Sequence, residues 1–294
     1  MQVLTFWLRP DFVLRVVNRF QKIAGFDRAV ALASGALTAT IPLTIVTGAI
    51  TSRAGGRGPA DRIIDRYGLT GGGAEAIRDV LSPPSGMSTS LGLIGFFFLL
   101  IAVLSFSRAV QRLFEQTWEL PPLSVRNSVN GLLWIGGLAL FVTLSGSIHG
   151  AIGRSDWDIA ASLLVAPLSA VFLCWSGWVL TAKRVPWREL LPFSVLGAVL
   201  LAAYSIGATV YVPRLFSTYA TRYGVIGAVF AMISTFFVVM LILVVSSAAG
   251  REIQVELERI RRGERPAEDE VRLQWEAVTA QARSRFDALR TRGR

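Results

Sequence analysis

Chemistry needs reactive side chains, and this chain of 294 residues has few. It holds one His, His149, and one Cys, Cys174. Histidine-rich metal sites, thiolate clusters and intrachain disulfides are therefore excluded within it. His149 stands in Gly146-Ser147-Ile148-His149-Gly150 at the end of an apolar run, where it reads as an interfacial residue. Cys174, in Phe172-Leu173-Cys174-Trp175, reads as a small buried hydrophobe. Ser105, Ser145, Ser234 and Ser246 bring hydroxyls into apolar stretches where no base is evident, and a serine nucleophile needs one. Gly71-Gly72-Gly73 is not followed by the Gly-Lys-Ser/Thr of a phosphate loop. No catalytic, cofactor-binding or metal residue is assigned, and the expectation is a protein that is not an enzyme and carries no cofactor.

What remains is a polar but uncharged set inside apolar stretches. Thr38, Thr40, Thr44 and Thr47 flank Pro42, and Tyr204, Ser205 and Thr209 dot a later stretch. Proline frees a backbone carbonyl and bends a helix, and nearby hydroxyls can re-satisfy that group. A broken helix near a bilayer midplane is what transporters use for a site. Thr38, Pro42, Thr44, Tyr204 and Ser205 are therefore the candidates for a helix break or polar path. The same hydroxyls serve equally well as packing groups between membrane helices.

The elements that must position these residues follow from charge. Charged residues make up only 17% of the chain and hydrophobic ones 52%, so an ordinary soluble enzyme and a disordered chain are both disfavoured. Six long gaps contain no Asp, Glu, Lys or Arg. Each is long enough to cross about 30 Å of hydrocarbon as a helix. The stretch Leu91–Ile101 does not alternate as a barrel strand would. The expected fold is all-α: a polytopic membrane protein with a six-helix transmembrane bundle. Its spans fall at about 29–52, 89–107, 128–149, 159–181, 190–212 and 223–249. With no carboxylate in any gap, a proton relay through the spans has nothing to use. The first gap is too long for a signal-peptide core and is read as retained.

Lys and Arg counts in alternate connecting blocks come to 22 against 8. The positive-inside rule places the richer set in the cytoplasm, with both termini there and the 53–88 loop outside. That loop carries two short helix candidates, near Pro59 and at about 74–81, and its role is open between a cap and a spacer. Residues 1–28 form a cytoplasmic amphipathic helix: Val13, Val16, Val17, Phe20, Ile23 and Ala24 share one face, and Arg15, Asn18, Arg19 and Lys22 the other. Such a helix suits anionic inner-leaflet lipids; packing on the end of the bundle is the alternative. Nucleic acid is not an expected partner. Residues 251–294 form a helical cytoplasmic tail whose apolar side, Val271, Trp275, Val278, Ala282 and Leu289, fits the bundle, lipid, a second copy or an envelope protein.

A family likeness appears at the last span. Tyr219-Ala220-Thr221-Arg222-Tyr223-Gly224-Val225-Ile226-Gly227-Ala228-Val229 resembles the signature of the YihY/BrkB family of bacterial inner-membrane proteins. So does Arg184-Val185-Pro186-Trp187-Arg188-Glu189-Leu190-Leu191-Pro192. Ala31 and Pro42 fit the family's opening helix, and Phe106-Ser107-Arg108-Ala109-Val110-Gln111-Arg112-Leu113-Phe114 fits the end of its second. Tyr223, Gly224 and Gly227 are the motif positions. The resemblance implies six spans in the bacterial inner membrane and no defined activity. Some members are described as virulence or serum-resistance factors, and a transporter-like role has been suggested. The family's former label, ribonuclease BN, finds no His/Asp cluster here to support it. The expectation is transport or permeation of a solute; the alternative is a non-transporting envelope scaffold.

Overall fold

The computed structural model describes residues 10–54, 59–81, 89–123, 128–152 and 158–263. No strand occurs among them. The helices are α1 (Pro10–Lys22), α2 (Gly25–Ala54), α3 (Pro59–Tyr67), α4 (Gly72–Leu81), α5 (Thr89–Thr117), α6 (Ser128–Ile152), α7 (Asp158–Leu180) and α8 (Trp187–Arg262). Four of these are long and apolar enough to cross a membrane, through Phe96–Thr117, Val129–Ile148, Leu163–Leu180 and Trp187–Arg262. The tail beyond 263 lies outside the described residues, as do the side chains of Pro42 and Thr44. The backbone of α2 is helical through both positions.

Helix α8 spans 76 residues as two helices joined at a kink, Gly224, at φ 57° and ψ −134°, with Pro192 and Pro213 inside the first. Those angles mirror the extended region and suit glycine, which lacks a Cβ. The chain doubles back there. A Cβ on Gly250 would fall 2.4 Å from Phe193 Cα, and one on Gly227 would fall 2.1 Å from the Tyr219 carbonyl oxygen. Residues far apart in number thus face each other in an antiparallel pair of limbs, 187–223 and 225–262. Residues 213–222, expected as a turn because they hold Arg214 and Arg222, are helical instead. Charge marks where water begins, whereas a helix ends only where its backbone must. Helix α5 likewise runs on past its apolar stretch to Thr117.

Two cores result. One lies at the end where α2 and both limbs of α8 have their charged termini, and is called here the charged end. Ile23, Ala29, Leu32, Leu113, Phe114, Trp118, Leu180, Val185, Leu190, Phe193, Val244 and Ala248 fill it. Phe114 and Phe193 meet edge-on at 5.3 Å, a favoured aromatic geometry. The other core lies at the Gly224 end, the hinge end. There Ala60, Ile64, Leu69, Ala74, Ile77 and Leu81 of the 59–81 segment bury against Val212, Phe216, Ala220, Ala228 and Met232 of α8. The segment between α2 and α5 therefore packs as a cap on the hinge of α8. Gly68 and Gly71, both at φ 58°, make the tight link between α3 and α4.

Candidate functional site

The six-residue stretch from Tyr219 to Gly224 explains the motif glycines. Gly224 supplies the backbone reversal. Gly227 is buried where the returning limb presses on the Tyr219 carbonyl. Tyr223 is exposed, with its ring outside the hinge core. Gly224 and Gly227 thus build the hairpin. Beside the hinge, Gly68, Leu69, Thr70, Gly73, Pro213, Arg214 and Ser217 line a pocket of about 200 Å³.

Deeper along α8, Tyr204 borders the hinge-end core together with Leu37 of α2 and Tyr67 of α3. Its hydroxyl is buried and makes no close hydrogen bond among the described residues. Thr235 of the returning limb stands beside it; the Thr235 hydroxyl donates to Ala231 O at 2.9 Å, which leaves its lone pairs open to accept from Tyr204. Ser205 is half-buried one residue on. Thr38 is exposed and donates to Ser34 O of its own helix at 2.8 Å. Among the described residues the structure thus brings Tyr204 and Thr235 together, and leaves Thr38 turned to its own backbone. Thr40, Thr143, Ser169 and Ser234 do the same, each donating to the carbonyl four residues earlier. That bond satisfies a hydroxyl inside an apolar helix without any partner.

The charged end holds groups that the sequence did not single out. Glu252 and Glu256, one turn apart on α8, are buried. Arg15 and Arg19, one turn apart on α1, reach them: Arg15 pairs with Glu256 and, at 3.7 Å, with Glu252, and Arg19 pairs with Glu252. Arg19 also donates to Thr117 O at 2.9 Å, tying α1 to the end of α5. Buried Glu115 accepts from the Gln111 amide at 2.8 Å, from Leu123 N at 2.9 Å and from Arg184 at 3.2 Å. At the rim, Lys22 donates to Glu119 at 2.6 Å and holds that carboxyl below its usual range. The signal available beforehand was the matched spacing: two acids and two arginines, each pair four residues apart and so on one helix face. Nothing in the sequence said that these two faces meet.

No group of three His, Cys, Asp or Glu side chains that could hold a metal ion occurs among the described residues. A two-metal nuclease mechanism has no donor set there.

Long apolar helices, a glycine hinge and charge gathered at one end define a helical protein of the membrane type. A family model described as Virulence factor BrkB matches residues 16–272. The chain belongs to that family, in line with the motif likeness around Gly224. No curated protein and no solved structure matches it.

Proposed function

We propose that this is a six-span bacterial inner-membrane protein, both termini cytoplasmic, that passes or binds a small polar or amphipathic solute between α2 and α8. The doubling back of α8 supplies two of the crossings. Helix α2, with 30 residues, reaches about 45 Å and supplies another. The Lys/Arg bias assigns the charged end to the cytoplasm.

The observation that supports the solute reading is the Tyr204 hydroxyl, buried with no close hydrogen bond among the described residues and only the Thr235 hydroxyl beside it. Leaving such a group unsatisfied costs about 1–3 kcal/mol, and a partner from outside the chain removes that cost. The returning limb adds support. Every residue from 233 to 243 is half-buried, so that helix has neighbours all round.

Purified protein in liposomes, screened for flux of ions, metabolites and lipids against empty vesicles, tests the reading. Tyr204→Phe should lower the flux of the active solute about tenfold while leaving the fold intact. Absence of flux across the panel for the parent protein would end the transport reading. Equal flux in the variant would remove Tyr204 from it.

The second reading, an envelope scaffold or self-associating protein, has its own observation. Leu257 and Ile260 are exposed on the last turns of α8, where the chain continues into 264–294. Removing that tail should then abolish co-purification of a partner and leave flux unaffected. For α1, exposed Val13 and Val17 suit an interfacial position. Its Arg15 and Arg19 are engaged with Glu252 and Glu256, so any contact with anionic headgroups must come from other basic residues.

A further inference from the structure

Those other residues are found where α2 meets α5. The two helices run antiparallel: Gly35 of α2 faces the Phe106 ring of α5, and Arg28 of α2 donates to Gln116 of α5. Arg112 lies one turn before Gln116 on the same side of α5 and is exposed. It stands close enough to Arg28 for the two charges to repel. Arg28 also donates to Ile23 O at 3.2 Å, so its guanidinium is held at the seam. Neither arginine forms an ion pair with a carboxylate among the described residues, and Asp27, the preceding residue, pairs with neither. Elsewhere at this end the arginines Arg15, Arg19 and Arg184 each meet a glutamate.

Two unneutralised guanidiniums fixed side by side are unfavourable unless an anion joins them. What lies beneath them limits which anion. Counting back along α5 from Arg112, the same face carries exposed Arg108 and, beyond it, exposed Ser105, Ile101 and Phe98, at helical spacing. Ile101 and Phe98 are 48% and 60% exposed, so this is an outward apolar strip leading away from the charged end. An anion with an apolar chain fits both parts; a free ion uses only the first.

We propose that Arg28 and Arg112 bind the headgroup phosphate of one anionic phospholipid, whose acyl chain lies along Ser105, Ile101 and Phe98. Arginine suits the task because its planar fork can hold two phosphate oxygens at once. The site rests on the membrane placement proposed above but not on transport. It also replaces α1 as the place where the leaflet's negative charge is read.

Native mass spectrometry of the full chain in detergent provides the test, with phosphatidylglycerol and phosphatidylcholine of identical chains as probes. Binding in detergent does not depend on which end faces the cytoplasm, so its failure leaves the orientation standing, and the reverse. The parent protein should retain the anionic lipid roughly tenfold better than the zwitterionic one. Arg112→Gln, which removes an exposed side chain with no hydrogen bond among the described residues, should lose most of that preference. The double variant Arg28→Gln/Arg112→Gln should lose all of it, and Arg188→Gln, an exposed arginine elsewhere on this end, should keep it. Inorganic phosphate at the same concentration should not displace the lipid. Equal retention of both lipids by the parent would overturn the proposal. Unchanged preference in both the single and double variants would overturn it too. Displacement by phosphate would overturn the lipid assignment in favour of a free-anion site.

Discussion

At the hinge end, glycine lets two limbs of α8 approach until Gly227 lies against the Tyr219 carbonyl, and apolar residues of the 59–81 segment close over the bend. At the charged end the returning limb is joined to α1 by arginine–glutamate pairs, and Arg19 ties α1 to the end of α5, over an aromatic core. The hinge end is held by shape; an ion pair there, Arg78 with Asp61 at 3.6 Å, is about half exposed. The charged end is held by matched charge at partial burial. Packing of small residues keeps its strength in lipid. Ion pairs need their desolvation offset partner by partner, and removing one partner strands the other. The difference teaches that the two ends should fail in different ways.

The largest effect is expected from Glu252→Ala. It removes the buried carboxylate that holds Arg19 and one of the two that hold Arg15, whose side chains are only 16% and 11% exposed. Breaking such a pair costs about 3 kcal/mol or more. Hydrogen exchange should show α1 released while the 59–81 segment stays protected. Protection of α1 at the parental level would contradict the clamp. Restoring stability by replacing all of Arg15, Arg19, Glu252 and Glu256 with apolar residues would sharpen the comparison, because a buried charge network can be matched by packing.

Gly227→Ala comes next. Its Cβ would meet backbone, which cannot swing aside, and overpacking of this kind costs about 1–3 kcal/mol. Here the 59–81 segment should lose protection first, with α1 unaffected. A thermal unfolding curve in detergent identical to the parent's would show that the limbs are looser at the hinge than drawn.

The smallest effect concerns Glu119. Lys22 holds its carboxyl below the usual range. A depressed carboxylate contributes stability above its unfolded value, near about 4.3, and that contribution is lost as pH falls through the lower folded value. Acidification to that range should therefore cost the parent slightly more than Lys22→Met, in thermal midpoint. Both side chains are more than half exposed, so salt should erase the difference. A difference that survives high salt would place the pair in a drier setting.

Much of the helical layout was legible before any coordinates. The charge-free gaps coincide with the central parts of α2, α5, α6, α7 and both limbs of α8, because hydropathy over some 20 residues is a local property. The short helices near Pro59 and 74–81 were legible for a similar reason, with glycine and proline punctuating them. The ends of α5 and the helical state of 213–222 were not, because a charged residue leaves the backbone free to stay helical. The candidate path was legible only as a list of hydroxyls. Which ones matter turns on partners: Thr38 bonds its own helix, whereas buried Tyr204 has only Thr235 beside it among the described residues.

Composition and periodicity by themselves determined an all-helical, membrane-type chain with its basic residues weighted to one end, and the motif around Gly224 identified the family. Tertiary structure alone decided that α8 folds back on itself, that the 59–81 segment caps the bend, and that Arg15 and Arg19 meet Glu252 and Glu256 from more than 230 residues away. The physical reason is range. Helix formation and hydropathy are summed over neighbouring residues, so the sequence displays them directly. Ion pairs, close glycine contacts and the isolation of a buried hydroxyl depend on which distant surfaces touch, and that is settled only when the whole chain packs.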